Sequence, residues 1–209
     1  MHASTNFRLA AAAIALSLAL PAIANATDFP VTGTLSVNGN TGNLPTGGVF
    51  AGSAYDSASG TIAAGAFTFP SSTISFPSDF GTVVVTYELS QTDTSTGSVD
   101  ADGVAVLSDA AMSLNVTHVT VSGFPVDVGT CVLAPVVIPL AGTASSSGLD
   151  LSASAFTIPP VAANACGGNG TQINNAVAGS NNSMHMQMAG DFTPPTDDTI
   201  FLDGFESPM

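Results

Sequence analysis

The most chemically suggestive stretch of this sequence is a run of alternating methionines near its C-terminal end. Met184, Met186 and Met188 are separated by single polar residues. Successive side chains of a β-strand point to opposite faces, so the three thioethers would share one face. Thioether sulfur is a soft ligand that suits Cu(I), and His185 or His118 could complete such a site. One hypothesis is therefore a periplasmic copper-handling protein that uses this strand.

The same spacing is also typical of an ordinary core strand, and we favour that interpretation. Methionine commonly fills irregular gaps in hydrophobic cores. Met184, Met186 and Met188 would then face inwards, and His185 would face solvent. We therefore predict no metal site, and copper binding by these methionines with His185 and His118 is kept as the alternative.

His118 lies where the alternation of the strand at residues 112–121 changes phase. The apolar face changes there from Leu114 and Val116 to Val119 and Val121, which predicts a β-bulge. A histidine beside a bulge could act as a general base, so a hydrolytic enzyme is a second alternative. The sequence has no Gly-x-Ser-x-Gly motif, and its many serines do not single out a nucleophile. We predict a non-enzymatic protein without catalytic residues.

Two loop segments offer further binding chemistry. Asp100 and Asp102 are spaced like the first ligands of a calcium loop, but the later ligands and the closing Glu of an EF-hand are missing. A hairpin turn at Asp102-Gly103 is the simpler interpretation. We predict no cofactor, with weak calcium binding by the unpaired carboxylates as an alternative.

The second loop segment, residues 166–182, is rich in glycine and asparagine. Amide groups on loops can recognise sugars. The structural alternative, which we favour, is a loop fixed by a disulfide and tight turns.

The charge of the chain excludes several classes of function. Arg8 is the only Lys or Arg in the sequence, against fifteen Asp and Glu residues, and the formal net charge is −14. Without basic side chains beyond Arg8, the chain cannot neutralise phosphates or anionic lipid headgroups. We therefore expect no nucleic-acid partner and no binding to anionic membranes. The expected partner is an extracellular ligand or a surface component.

Residues 1–26 have the three parts of a secretory signal peptide. Arg8 is the charged start, residues 9–20 are an apolar run, and Ala24-Asn25-Ala26 is a small-residue cleavage site. The protein is therefore expected to be secreted or periplasmic. Two cysteines in one domain of an exported protein form a disulfide by default, so we predict that Cys131 and Cys166 are joined.

Almost every segment beyond the signal peptide alternates between apolar and polar residues with period two. The predicted strands lie at residues 31–37, 48–55, 61–69, 82–89, 112–121, 126–133, 149–158 and 183–189. Short strands between Gly-rich turns, without a helix of convincing length, are typical of an antiparallel sandwich or barrel. We predict an all-β fold, an antiparallel β-sandwich of Ig-like or Greek-key type with one disulfide. This domain spans residues 27–193, and an acidic tail follows at residues 194–209.

Two stretches resemble known proteins. Residues 47–195 resemble secreted bacterial all-β proteins of unknown function, on the basis of Phe156-Thr157-Ile158-Pro159, the two cysteines and Asn181-Asn182-Ser183. This resemblance implies a sandwich and export but no activity. Residues 198–206 resemble the C-terminal ending Ile-Phe-x-Asp-Gly-Phe-Glu of exported proteins from Gram-negative bacteria. That resemblance implies a Gram-negative source and a handling, sorting or docking tag. We therefore predict a secreted, non-enzymatic module with a binding or structural role at the cell surface or outside the cell.

Overall fold

The computed structural model describes residues 26–79, 81–108 and 110–196. Nearly all of the predicted signal peptide and the predicted C-terminal tag at residues 198–206 lie outside these ranges. Within them the chain is dominated by antiparallel β-strands, with one short 3-10 helix and one α-helix. The predicted all-β class is thereby confirmed. No helix in the described ranges has the length and apolar character needed to cross a membrane.

The strands, in chain order, are β1 (Thr27–Val37), β2 (Asn40–Asn43), β3 (Gly48–Ser53), β4 (Tyr55–Asp56), β5 (Thr61–Thr68), β6 (Ser72–Ser78), β7 (Gly81–Gln91), β8 (Ser95–Val99), β9 (Val104–Leu107), β10 (Ala110–Val121), β11 (Phe124–Val126), β12 (Val132–Ile138), β13 (Ala141–Ser145), β14 (Gly148–Ile158) and β15 (Gly179–Ala189). Between β14 and β15 lie the 3-10 helix η1 (Cys166–Gly168) and the α-helix α1 (Gly170–Val177).

The sheet closes into an eight-stranded barrel, so the predicted sandwich is wrong. The strands of the ring are ordered β5-β3-β1-β15-β14-β13-β9-β8, and β8 pairs back onto β5. A sandwich and a barrel both bury one face of each strand, so both produce the same period-two pattern. The pairing of Thr61 with Ser98 across β5 and β8 decides between them. Such a long-range contact leaves no local trace in the sequence.

Five further strands form a side sheet, which we define as β6, β7, β10, β11 and β12. β7 joins the barrel at β5 through the pair Thr68 and Ser90, and β10 lies beside β7. β6 pairs with β7, while β11 and β12 pair with different parts of β10. The apolar faces of barrel and side sheet meet in one continuous core. The side sheet therefore folds together with the barrel.

Two predictions about local structure have different outcomes. The bulge at His118 is confirmed, because the register between β10 and β7 shifts between Val116 and His118. The predicted strand at residues 126–133 is wrong, because β11 ends at Val126 and β12 begins at Val132. Val128 and Cys131 are nevertheless buried in the intervening loop. Alternating burial in that loop imitates the pattern of a strand.

Helix α1 was not predicted, although its sequence carries a weak helical pattern. Ile173 and Val177 are four residues apart and are both buried, with Ala176 partly buried beside them. Residues with this spacing lie on one face of a helix. With only eight residues, the helix is too short to be stable without tertiary contacts. Its existence therefore depends on the surface against which it packs.

Candidate functional site

The methionine strand lies in the core of the barrel. Met184, Met186 and Met188 are almost completely buried on β15, which pairs with β1 on one side and β14 on the other. The three side chains thus occupy the inward positions expected of a core strand. His185 lies on the opposite, exposed face of β15, and His118 lies on β10, which does not neighbour β15. The structure therefore does not bring these histidines together with the three sulfurs.

His185 hydrogen-bonds with Asp150 of the adjacent strand β14. Its Nε2 lies 2.8 Å from Asp150 Oδ1, and Gln187 Nε2 donates to Asp150 Oδ2 at 3.3 Å. The hydrogen bonds from His185 and Gln187 lower the pKa of the Asp150 carboxyl. The side chains of His185 and Asp150 are both about half exposed. The pair therefore links β14 and β15 on the outer surface of the barrel.

Ser152 lies directly across from His185, so a hydroxyl, an imidazole and a carboxylate lie close together on this face. Acyl-transfer catalysis also requires hydrogen-bond donors for an oxyanion, and these are often backbone N–H groups. β14 and β15 are each paired on both sides, so their N–H groups are largely used by the sheet. Ser152, His185 and Asp150 therefore lie on an exposed face of strands that are paired on both sides.

His118 lies in a second polar site. This site is a surface pocket of about 470 Å³ that is also lined by Thr117 and Asp127. Thr117 Oγ1 donates to the carbonyl of Thr86 at 3.3 Å, and Asp127 Oδ1 accepts from the N–H of Gly129 at 3.0 Å. Both groups are therefore engaged with the backbone and not with the imidazole.

The predicted hairpin turn at Asp102-Gly103 is confirmed between β8 and β9. Asp100 Oδ1 accepts from the N–H of Val104 at 2.8 Å, so this carboxylate stabilises the turn. In the described part of the chain, no three or more His, Cys, Asp or Glu side chains converge as metal ligands would.

A groove of about 490 Å³ lies between the side sheet and helix α1, and we call it the amide groove. Valines of three strands form its apolar lining, together with Phe76 of β6. These valines are Val83 and Val85 of β7, Val116, Val119 and Val121 of β10, and Val126 of β11. Ile173, Ala176 and Val177 of α1 form the opposite wall. A volume of this size is within the usual range for small-molecule sites.

The inner end of the amide groove continues into a small apolar pocket. This pocket has a volume of about 30 Å³ and shares Phe76, Val85 and Ala176 with the groove. Its remaining walls include Leu35, Tyr87 and Leu114 of the core. The groove is therefore most apolar where it approaches the centre of the protein.

Side-chain amides and one carboxylate form the rim of the amide groove. The amides are Asn38, Asn40, Asn169, Gln172 and Asn175. Asp79, in the exposed turn between β6 and β7, is the one charged side chain among the lining residues. The site thus combines an apolar interior with an uncharged or negative edge.

Several of the rim amides also hold helix α1 in place. Asn38 Nδ2 donates to the carbonyl of Asn175 at 3.2 Å, and Asn169 Nδ2 donates to the carbonyl of Asp127 at 2.9 Å. Asn174 makes two hydrogen bonds of 2.8 Å to the backbone of Val161. The predicted loop is wrong for residues 170–177, which form α1. Asn169 and Asn174 nevertheless have structural roles, because both hold backbone groups. Gln172 and Asn175 keep exposed side chains at the groove.

The predicted disulfide is confirmed, and it anchors the same wall. Cys131 and Cys166 are both buried, and they join the loop before β12 to η1, immediately before α1. Sequence reasoning predicted the disulfide and the inward faces of β7 and β10 but missed the groove. The spacing of Ile173, Ala176 and Val177 is the pattern that could have indicated its second wall.

No protein-family model, curated protein or solved structure matches this chain. The chemistry of the groove itself is therefore the basis for what it can bind.

Proposed function

We propose that this protein is an exported, non-enzymatic binding module whose amide groove holds the apolar part of a small extracellular ligand. The observation that carries the proposal is the groove of about 490 Å³ between α1 and the side sheet, with valines inside and amides at its rim. Small-molecule sites typically combine an apolar lining with a few polar groups that orient the ligand. The proposal covers the binding mode and leaves the biological ligand open.

A non-enzymatic role is supported by how the polar side chains are used. Asn38 and Asn169 at the groove hold backbone groups, and the groove lining includes no histidine, cysteine or pair of carboxylates. The His185 and Asp150 pair lies on the outer surface of the barrel and faces no groove lining residue. A groove of this composition can bind and orient a ligand, and its one carboxylate, Asp79, has no histidine or cysteine beside it among the lining residues.

Export and the absence of anionic partners are part of the proposal. They rest on the signal-peptide pattern of residues 1–26 and on the lack of Lys and Arg beyond Arg8. The buried disulfide supports an oxidising compartment.

The test uses an uncharged probe, decyl maltoside, at concentrations below those at which it forms micelles. Saturable binding by calorimetry is expected, with NMR shift changes at Val83, Val121 and Ala176. Replacing Ala176 with Leu fills part of the groove and should weaken binding roughly tenfold. This corresponds to a loss of about 1.4 kcal/mol in binding free energy. Thr171→Leu is the matched control, because Thr171 is exposed on the same helix and does not line the groove.

The control variant should bind the probe as the parent protein does. Absence of saturable binding by the parent, or equal binding by Ala176→Leu and Thr171→Leu, would overturn the proposed function. Circular dichroism and thermal melting of both variants establish that a loss of binding does not reflect loss of the fold.

A further inference from the structure

We infer that the amide groove selects a linear amphiphile with a cationic head, and that Asp79 lies at the position of the head. This inference rests on the proposed function and adds to it the orientation and the charge of the ligand. The hydrocarbon chain enters towards the pocket beside Tyr87, and an ammonium group stays at the turn between β6 and β7.

The polarity of the groove along β7 sets the orientation of the ligand. Asp79 lies in the turn that precedes β7, and Val83, Val85 and Tyr87 follow at every second position towards the core. With a rise of about 3.3 Å per residue, Val83 and Tyr87 are about 13 Å apart along the strand. An extended chain of roughly ten carbons spans a similar length. With its head at the turn of Asp79, which precedes Val83, a decyl group therefore covers the valines of the outer floor and points towards Tyr87 without reaching it.

The lining of the inner end favours a hydrocarbon over a polar group. The inner pocket is bounded by Leu35, Leu114 and Val177 among others. Burial of hydrocarbon against these side chains is favourable, whereas a polar head placed there would lose its hydrogen bonds to water.

Charge complementarity decides between the head groups. Asp79 is the one charged residue in the lining, and the amides of Asn40, Gln172 and Asn175 supply further hydrogen-bonding groups in the same groove. The whole sequence has a formal net charge of −14, and its single Arg lies at position 8. A field of this sign concentrates cations at the surface and repels anions. Fatty acids and alkyl sulfates are therefore disfavoured, and alkylammonium ions are favoured.

The acidic C-terminal tail of the chain is a poor candidate for the same groove. Pro194 lies against Gly103 and Pro195 against Gly60, so residues 194 and 195 lie beside the turn between β8 and β9 and the turn between β4 and β5. The groove instead lies beside the turns at Asn38 and Asp79. Residues 197–209 contain four carboxylates and no basic residue, so they would be repelled by Asp79. Charge and position thus both favour a separate, cationic ligand.

The experiment compares three probes that share one decyl chain: decylammonium, decyl maltoside and decyl sulfate, each below its micelle-forming concentration. We expect decylammonium to bind the parent protein roughly tenfold more tightly than decyl maltoside and decyl sulfate to bind most weakly. The preference for decylammonium should decrease as salt is added, because salt screens the attraction between exposed charges.

Asp79→Asn tests the assigned residue, and Asp93→Asn is the control with the same change in net charge. Asp93 is exposed in the turn between β7 and β8 and does not line the groove. Asp79→Asn should abolish most of the preference for decylammonium while leaving the affinity for decyl maltoside unchanged. Asp93→Asn should retain the preference.

The outcomes separate this inference from the proposed function. If decyl maltoside and decylammonium bind the parent protein equally, the cationic selection is wrong and the apolar groove still stands. Equal effects of Asp79→Asn and Asp93→Asn would also overturn it, because general charge would then explain the preference. If none of the probes binds, both the inference and the proposed function fail.

Discussion

Cys131 and Cys166 lie with their Cα atoms 4.4 Å apart and join the loop before β12 covalently to the start of η1. The carbonyl of Cys131 accepts a hydrogen bond of 2.8 Å from the N–H of Val116 on β10, which belongs to the groove floor. Cys166 begins η1, which leads directly into α1. The disulfide therefore connects the side sheet to the helix that faces it.

Removal of this disulfide should lower both stability and binding. Replacing both cysteines with Ala is expected to reduce the free energy of unfolding by up to about 4 kcal/mol, since the closed loop is long. Urea denaturation of the parent and variant measures this loss, and the affinity for decyl maltoside should fall because α1 is less firmly held. Intact mass of the parent protein after alkylation without reductant checks that the disulfide is present. Labelling of both thiols in the parent would contradict it.

Truncation of the central core methionine should destabilise the barrel. Met186 is 1% exposed and lies between Gly33 of β1 and Leu151 of β14. Met186→Ala should lower the free energy of unfolding by about 2 to 5 kcal/mol, because it leaves a cavity. Gln187→Ala, on the exposed face of the same strand, is the control and should cost far less. Equal losses in the two variants, or Cu(I) binding that Met186→Ala abolishes without a change in melting temperature, would favour the metal hypothesis.

The hydrogen bonds to Asp150 on the outer face should stabilise the protein at neutral pH but not at strongly acidic pH. The hydrogen bonds from His185 and Gln187 lower the pKa of Asp150 in the folded state. Its contribution is therefore fully present above the unfolded pKa of about 3.9 and is lost as the pH falls through the lower, folded pKa. Because the carboxylate is half exposed, the effect at neutral pH should be about 0.2 to 1 kcal/mol.

Thermal melting of Asp150→Asn and Asp93→Asn between neutral and strongly acidic pH measures this contribution. At neutral pH the Asp150 variant should melt below the Asp93 variant, which changes the net charge by the same amount. The difference between the two variants should shrink as the pH falls below about 4. A difference that stayed constant down to the lowest pH would show that the hydrogen bonds to Asp150 do not stabilise the fold.

Added salt should stabilise the protein, because its sequence has fifteen Asp and Glu residues against one Lys or Arg. In the described part of the chain, the ion pair that the structure shows is that of His185 and Asp150. Raising monovalent salt from low to physiological strength shortens the Debye length from about 30 Å to about 8 Å, which screens the repulsion. The melting temperature should therefore rise. A flat or falling melting temperature would show that the carboxylates are too far apart to repel one another.

Calcium provides a separate comparison with sodium at equal ionic strength. If carboxylates cluster, millimolar calcium should raise the melting temperature more than sodium does, because carboxylate oxygens are the ligands that Ca²⁺ prefers. If the two cations raise the melting temperature equally, screening of the repulsion between carboxylates explains the effect. Weak calcium binding would then not contribute to stability.

The sequence by itself determined the local features of this protein. Period-two alternation placed Val83, Val85 and Tyr87 on one face of a strand, and the change of phase at His118 located the bulge. The spacing of Met184, Met186 and Met188 identified the inward face of β15, and two cysteines in a chain with a signal-peptide pattern predicted the disulfide. Each feature depends on neighbouring residues or on composition, so it can be recognised without the fold.

The tertiary structure alone decided the closure of the sheet and the position of the groove. Alternation indicates which face of a strand is buried but not which strand is its neighbour. The pairing of Thr61 with Ser98, which closes the barrel, could therefore not be predicted from the sequence. Helix α1 was missed for a related reason. It has only eight residues and a weak apolar face, so its stability depends on the surface against which it packs. The amide groove exists only where that helix meets β7 and β10, through contacts between residues far apart in the chain.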